Sequence, residues 1–418
     1  MSDYMPSAAS RVEPRWRIAC CFLLTLVAIQ LALGPVLRLS QWDLRAAHNS
    51  PVAEGESWLQ GRLDIPHPGR DVRHDRMHDA AYFQGKVYNV YPPLLTVLHA
   101  VLAPLHGALQ VGHTEFWHPW THLLLVYWPL PVLGFFVFRR ECGDSAWAGL
   151  LTLVWLGGTA LLPALTLSQR GYQGPTYHVL SQTGLLLLAA DLLGRQRIWP
   201  GLIGLLIAAW SRQMTFLYAL PLLWVAYQRR RLPLALAGLA LVAAPLLVLN
   251  WLKFGNPLDF GYQYIYVERE TDIMGSRVAA HGVFSLHFFV ENFRHMHWQP
   301  PALDLQWTSI GVGRDRGFGV SIWITTPLLL LLVPSFRAWW RDPRRRALML
   351  GTLPIMLGLL CYHTPGYLQS GYNRFALDFI PIWLLVLAPH VRGGWRTWFT
   401  LLSGAWSLLY FQSVASRL

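Results

Sequence analysis

The sequence predicts an all-α integral membrane protein of about eleven transmembrane helices, with short helices lying outside the bilayer in its first loop. Three observations lead there. Apolar runs of ~18 or more residues, each able to cross a ~30 Å hydrocarbon core, recur along the chain. Only 13% of its 418 residues are charged and 54% are hydrophobic, where a soluble domain carries about a quarter charged residues. Basic residues gather in short connections at alternate ends of the apolar runs, the pattern that orients inner-membrane proteins. A soluble helical bundle would need polar faces at helical spacing, and most of these runs are apolar all round. The net charge of +12 is therefore an orientation signal and not a nucleic-acid footprint.

The first expected crossing, roughly 18–37, follows Arg11, Arg15 and Arg17. It is too long for a signal-peptide core and lacks a small-x-small cleavage site, so it reads as a retained anchor. A charged stretch then opens the first external loop, 38–116. Within it, the apolar run from Pro92 to Pro104 starts with two prolines, where a helix tolerates them. Such a helix reaches only about 20 Å, too short to span, and is expected to lie on or dip into the outer interface.

Further crossings are expected at about 117–138, 145–165 and 176–193, then as a tight pair at 199–210 and 214–227, then at 233–252. A second large external loop covers 253–318, and crossings at 319–335, 347–361, 376–390 and 397–413 complete one polytopic domain, 1–418. Half of the 34 Lys and Arg residues fall in six short pieces around Arg15, Arg139, Arg195, Arg229, Arg344 and Arg392. That asymmetry places the N-terminus in the cytoplasm and both large loops outside. No repeat of 20–50 residues is visible, which disfavours a transporter built from internal halves. The four cysteines (Cys20, Cys21, Cys142, Cys361) lie in or beside apolar segments and imply no disulfide framework.

Chemistry is expected in the first loop, where Asp43, His48, Glu54, Glu56, Asp71, Asp75 and Asp79 accompany Lys86. A carboxylate can take the proton from an attacking hydroxyl, and a cation can stabilise a departing phosphate. A solvated loop whose charges merely avoid hydrocarbon would look similar. The run DVRHDRMHD sets His74 and His78 on one helical face beside Asp75. These are candidate ligands for a divalent metal; the competing reading is a hydrated helix paired with Arg70, Arg73 and Arg76.

The stretch YFQGKVYNVYPPLL, together with VAEGESWLQGRLDI, NWLKFGNPLDFGYQY and GYNRFALDFIP, resembles the membrane-embedded glycosyltransferases of the C fold (GT-C). Lipid A aminoarabinose transferases and protein O-mannosyltransferases are the best-known relatives. The resemblance runs over roughly 16–390 in scattered short motifs. It implies a polyprenyl-phosphate-sugar donor, a glycan, lipid or protein acceptor, and inverting transfer at the outer face of a bacterial inner membrane, with no cofactor. Such enzymes place a catalytic carboxylate shortly after the first crossing. Here Asp43 sits a few residues early and His48-Asn49 takes the aligned place. Asp43 is thus the first candidate base and Asp79 the second, with Glu54 or Glu56 behind them.

Lys86 matches the position that reaches the carrier phosphate, and Arg374 is a second phosphate candidate. Arg212 stands where the family often has Arg-Pro, with Gln213 replacing the proline. Tyr88 and Glu56 complete the expected substrate-binding set. No Rossmann or Walker A pattern occurs, in keeping with a lipid donor. Two rivals stay open: a polytopic lipid or solute transporter or flippase, and a non-catalytic C-fold assembly partner.

Overall fold

The computed structural model describes residues 13–34, 50–66, 80–108, 123–169, 173–265, 273–301, 303–306, 309–312, 319–364 and 371–418. Those residues are mostly helical. Two helices are long and apolar enough to cross a membrane: α1 (Arg15–Leu33) and one further along, Leu232–Phe254. A third span results if Ser145–Gly157 and Leu161–Gln169, bent by 58°, are taken together. Among the described residues the other expected crossings are shorter, are broken, or are long enough but less apolar, as are Gln173–Leu193 and Trp395–Ala415. Pro327, for example, divides the eighth into Ile322–Thr325 and Pro327–Leu332, because it supplies no N–H and constrains the residue before it. Leu23, Leu31, Leu241, Trp398 and Leu402 stand exposed, as an apolar surface facing lipid requires.

After α1 come α2 (Ser50–Leu59), an antiparallel hairpin of β1 (Ala80–Phe83) and β2 (Lys86–Asn89), and α3 (Leu94–Ala108). The bundle continues through α4 (Pro129–Cys142), α5 (Ser145–Gly157), α6 (Leu161–Gln169) and α7 (Gln173–Leu193). Next are α8 (Trp199–Ala209), a 3₁₀ turn at Gln213–Tyr218, α9 (Ala219–Gln228) and α10 (Leu232–Phe254). The second loop holds α11 (Ile273–His281), α12 (Phe289–Phe293) and the hairpin β3 (Leu303–Gln306) and β4 (Ser309–Val312). Then follow α13 (Ile322–Thr325), α14 (Phe336–Arg341), α15 (Pro343–Cys361), a 3₁₀ turn at Arg374–Asp378, α16 (Ile380–Leu387) and α17 (Trp395–Ala415).

The arginine-rich connections converge on one end. Arg17 lies 3.6 Å from Asp144, and Arg345 lies 2.7 Å from Glu141. Arg140 donates to Ala190 O at 2.6 Å and Arg344 to Leu193 O at 3.0 Å, while Arg231 reaches Arg197 O at 3.0 Å. Two of these arginines bond carbonyls in the last turn of α7 (Gln173–Leu193), at the negative end of its dipole, and Arg231 bonds one in the connection to α8. Asp144 does the converse for α5, accepting from Ala146 N and Trp147 N.

At the opposite end the first loop docks on the bundle. Leu94 N, at the start of α3, donates to Trp210 O at 3.0 Å, just past the end of α8. Helices α7 and α8 meet through glycine: a Cβ on Gly184 would lie 2.5 Å from Gly204 O. Small residues of this kind let two helix backbones touch in a medium where no hydrophobic force joins them. That contact fixes the level at which α8 ends, and with it the position of Arg212.

Candidate functional site

Two buried charge clusters adjoin at this end. The first ties the first loop to α10. Glu54, on α2, is wholly buried and ion-paired with Lys253 in the last turn of α10. Its Oε2 accepts from Asn89 Nδ2 at 2.8 Å and from Thr96 Oγ1 at 2.9 Å. Lys253 also donates to Asn89 O at 2.9 Å, and Ser50 donates to Asn89 Oδ1 at 3.0 Å. α2, β2, α3 and α10 thus meet at one carboxylate. A buried charge is tolerated when it is paired and its remaining lone pairs are hydrogen-bonded.

The second cluster surrounds Asp378, also wholly buried. Arg212 grips it with two nitrogens, Nη2 to Oδ2 at 2.9 Å and Nε to Oδ1 at 3.2 Å. His178 Nδ1 stands 3.3 Å from Oδ1. Backbone bonds fix the turn: Tyr218 OH donates to Asp378 O at 2.9 Å, and Gln182 Nε2 donates to Leu377 O at 2.9 Å. Arg212 and Arg374 both lie over the ring of Phe375, at 5.1 and 5.3 Å, in cation–π geometry. The first turns of α7 join the clusters, because Tyr177 stacks on Tyr91 at 4.9 Å while its neighbour His178 faces Asp378.

A cavity of about 540 Å³ opens beside the second cluster. Arg212, Gln213, Asn256 and Gln263 are among its polar lining, Met214, Phe216 and Leu359 among its apolar lining, and Asp259 and Tyr262 line it too. Arg212 spends Nε and Nη2 on Asp378, and among the described residues nothing pairs with its Nη1. Tyr262 donates to Gln213 Oε1 at 3.2 Å, orienting that amide. Gly261 shapes the rim: at φ +76 it takes a left-handed backbone, and a Cβ there would strike the Phe254 ring. Asp259 accepts from Gly261 N at 2.8 Å and from Tyr264 OH at 2.8 Å. Burial, with the Asp259 carboxylate, pushes the Tyr264 phenol up. On the far side Phe284 bridges to Tyr362, and Asn292 donates to Leu360 O and Tyr362 O, both at 2.8 Å.

Of the residues picked out in the sequence, the structure brings Arg212 and Arg374 together on Phe375. Lys86 is exposed at the hairpin tip, within electrostatic reach of Asp64, which Arg62 holds below the usual carboxylate range. It stands three residues along the strand from Asn89, about 10 Å from the first cluster. Tyr88 is buried against Ala81 and Phe254. Glu56 faces His99 at 3.7 Å. Asp43, Asp79, His74, His78 and Asp75 lie outside the described residues. Among the described residues no group of three or more His, Cys, Asp or Glu is arranged for a metal.

Sequence reasoning ranked Glu54 only third and passed over Lys253, Asn89, His178 and Asp378. Lys253 and Asp378 were nonetheless within reach. Each is a lone ionisable residue at the edge of a long apolar run, in NWLKFGNPL and FALDFIP, a placement that demands a partner. No protein-family model, no curated protein and no solved structure matches the chain.

Proposed function

We propose that this chain is a membrane-embedded glycosyltransferase of the C fold. It moves a sugar from a polyprenyl-phosphate donor to an acceptor at the outer face, with inversion. The observation that carries the reading is Arg212: Nε and Nη2 of its guanidinium are locked on buried Asp378, and the same side chain lines a cavity with largely apolar walls. A phosphate that drags a prenyl chain needs both surfaces at once. Arg is suited to phosphate because its donors lie in a rigid plane. Arg374, held over the same ring, is the second cation.

The depth also suits this donor. His178 lies fifteen residues from the end of α7 at Leu193, ~22 Å at helical rise. With eleven crossings and the arginine-rich end in the cytoplasm, Arg212 sits in the outer third of the hydrocarbon layer. A carrier phosphate can reach that level from the outer leaflet.

In the reaction an acceptor hydroxyl attacks the anomeric carbon and the bond from that carbon to the phosphate oxygen breaks. The phosphate leaves with the electron pair toward Arg212 and Arg374, and a carboxylate takes the hydroxyl proton. Asp43 is the proposed base and Asp79 its alternative. Transfer from radiolabelled polyprenyl-phosphate sugars in proteoliposomes tests the reading. Asp43→Asn or Asp79→Asn is expected to abolish transfer, and full activity in both variants refutes the base. Absence of transfer from any donor refutes the enzyme.

The buried group of His178, Asp378 and Arg212 favours a second reading, since transporters keep ionisable residues inside their spans. It gathers at one end of the bundle, whereas transport sites lie near the midplane between broken helices. Lipid or solute counterflow without transfer would establish that reading instead.

A further inference from the structure

We infer that the arginine-rich end of the bundle carries a binding site for one anionic phospholipid, between α9 and α15. The inference rests on the chain being a membrane protein and not on sugar transfer. A groove of about 430 Å³ runs between these helices, lined by Leu220, Trp224, Arg346, Ala347 and Leu350. Gly351 and Pro221 also line it, in such close contact that a Cβ on Gly351 would lie 2.8 Å from Pro221 Cγ. Apolar residues line it except at one place, Arg346, in the first turn of α15.

Arg346 differs from its neighbours. Arg344 turns inward to Leu193 O at 3.0 Å and Arg345 to Glu141 at 2.7 Å. Arg346 instead lies 5.6 Å from the Trp340 ring, and no carboxylate pairs with it among the described residues. Trp340 in turn stacks on Phe336 at 5.4 Å and 21°. α14 therefore presents an aromatic platform against the one cation among the described residues that line an otherwise apolar groove. Indole rings favour the level of lipid headgroups. A guanidinium steadied on such a ring still offers its edge to a phosphate.

The occupant follows from this pairing of charge and shape. Basic pockets between helices on the cytoplasmic side take anionic headgroups, and the groove below accepts an acyl chain. A zwitterionic lipid has the same tails and the same phosphate, but it brings a second cation next to Arg346. A second copy of this chain would have to place a carboxylate there.

Native mass spectrometry of the full-length protein, titrated with dioleoyl phosphatidylglycerol or dioleoyl phosphatidylcholine, tests the site. The wild type is expected to retain one phosphatidylglycerol in preference to phosphatidylcholine. Arg346→Ala should cut that preference about fivefold, equivalent to the ~1 kcal/mol of one basic residue at an anionic surface. Arg346→Lys should keep most of it. Arg337→Ala removes an exposed arginine outside the groove and should change nothing. Ala347→Trp fills the groove and should displace the lipid while Arg346 stays. Equal retention of both lipids, or equal loss with Arg337→Ala, overturns the proposal. So does a dimer that Ala347→Trp dissociates, which would make the groove an interface between copies.

Discussion

The Glu54–Lys253 pair allows a test of whether the first loop is part of the bundle or an appendage. Both side chains are almost fully buried, Glu54 at 0% and Lys253 at 4% exposure. Lys253→Met leaves the Glu54 carboxylate with Asn89 and Thr96 as donors but with no countercharge. Glu54→Gln sets an amide against an ammonium in the same space. Breaking a buried pair from either side typically costs ~3–5 kcal/mol, because the surviving charge is stranded. At roughly 2–4 °C per kcal/mol, each single variant should lose about 6–20 °C of apparent melting temperature in detergent. The double variant Glu54→Gln/Lys253→Met strands no charge, and neutral replacements of a buried pair are often close to harmless. It should recover to within about 2 kcal/mol of the wild type, giving a strong coupling in the cycle. Additive losses in the double variant, or a Lys253→Met protein as stable as the wild type, would refute the argument. Full transfer activity in the recovered double variant would also remove Glu54 from the candidate bases.

Three further expectations concern Arg212, Lys86 and His297. Arg212→Lys keeps the charge but loses the two-pronged grip on Asp378. Sugar transfer should fall ~10²-fold, the rate equivalent of ~2.7 kcal/mol of misplaced phosphate contact. Lys86→Ala, at the exposed hairpin tip, should change it by less than about threefold; the reverse order would move the phosphate site to the hairpin. Burial holds His297 below the usual imidazole pKa, and its Nδ1 accepts from Trp323 Nε1 at 2.9 Å. A depressed folded-state value means that the unfolded chain takes up the proton first. Stability should be complete above about pH 6.5 and decline as pH falls through the interval below it, by at most about 1.4 kcal/mol per pH unit. Thermal melts between pH 8 and 5 measure this, and His297→Phe should flatten the slope.

The sequence exposes the parts of this molecule that depend on local chemistry. The apolar run after two prolines does form a helix, Leu94–Ala108, and the tight pair does turn at Ser211 and Arg212. Arginines after apolar runs do meet at one end, where they donate to backbone carbonyls of neighbouring helices and their connections. What sequence alone could not supply is partnership across distance. Glu54 meets Lys253 and His178 meets Asp378 from places far apart in the chain, and a single chain carries no mark joining such residues. Local pattern also favoured Lys86, the cation beside the prolines, over Arg212.

On the proposed reading, desolvation reverses that order. Lys86 stays in water, where a charge interacts weakly with a phosphate, while Arg212 lies at the edge of a low-dielectric interior that strengthens every contact it makes. Its position there is possible only because Asp378 offsets its charge and His178 and Phe375 wall it in. An arginine anchored in this way loses little side-chain freedom when a ligand arrives, whereas a hairpin-tip lysine must be immobilised from solution. The cation best prepared to receive an anionic lipid headgroup is therefore the one whose countercharge is already buried behind it.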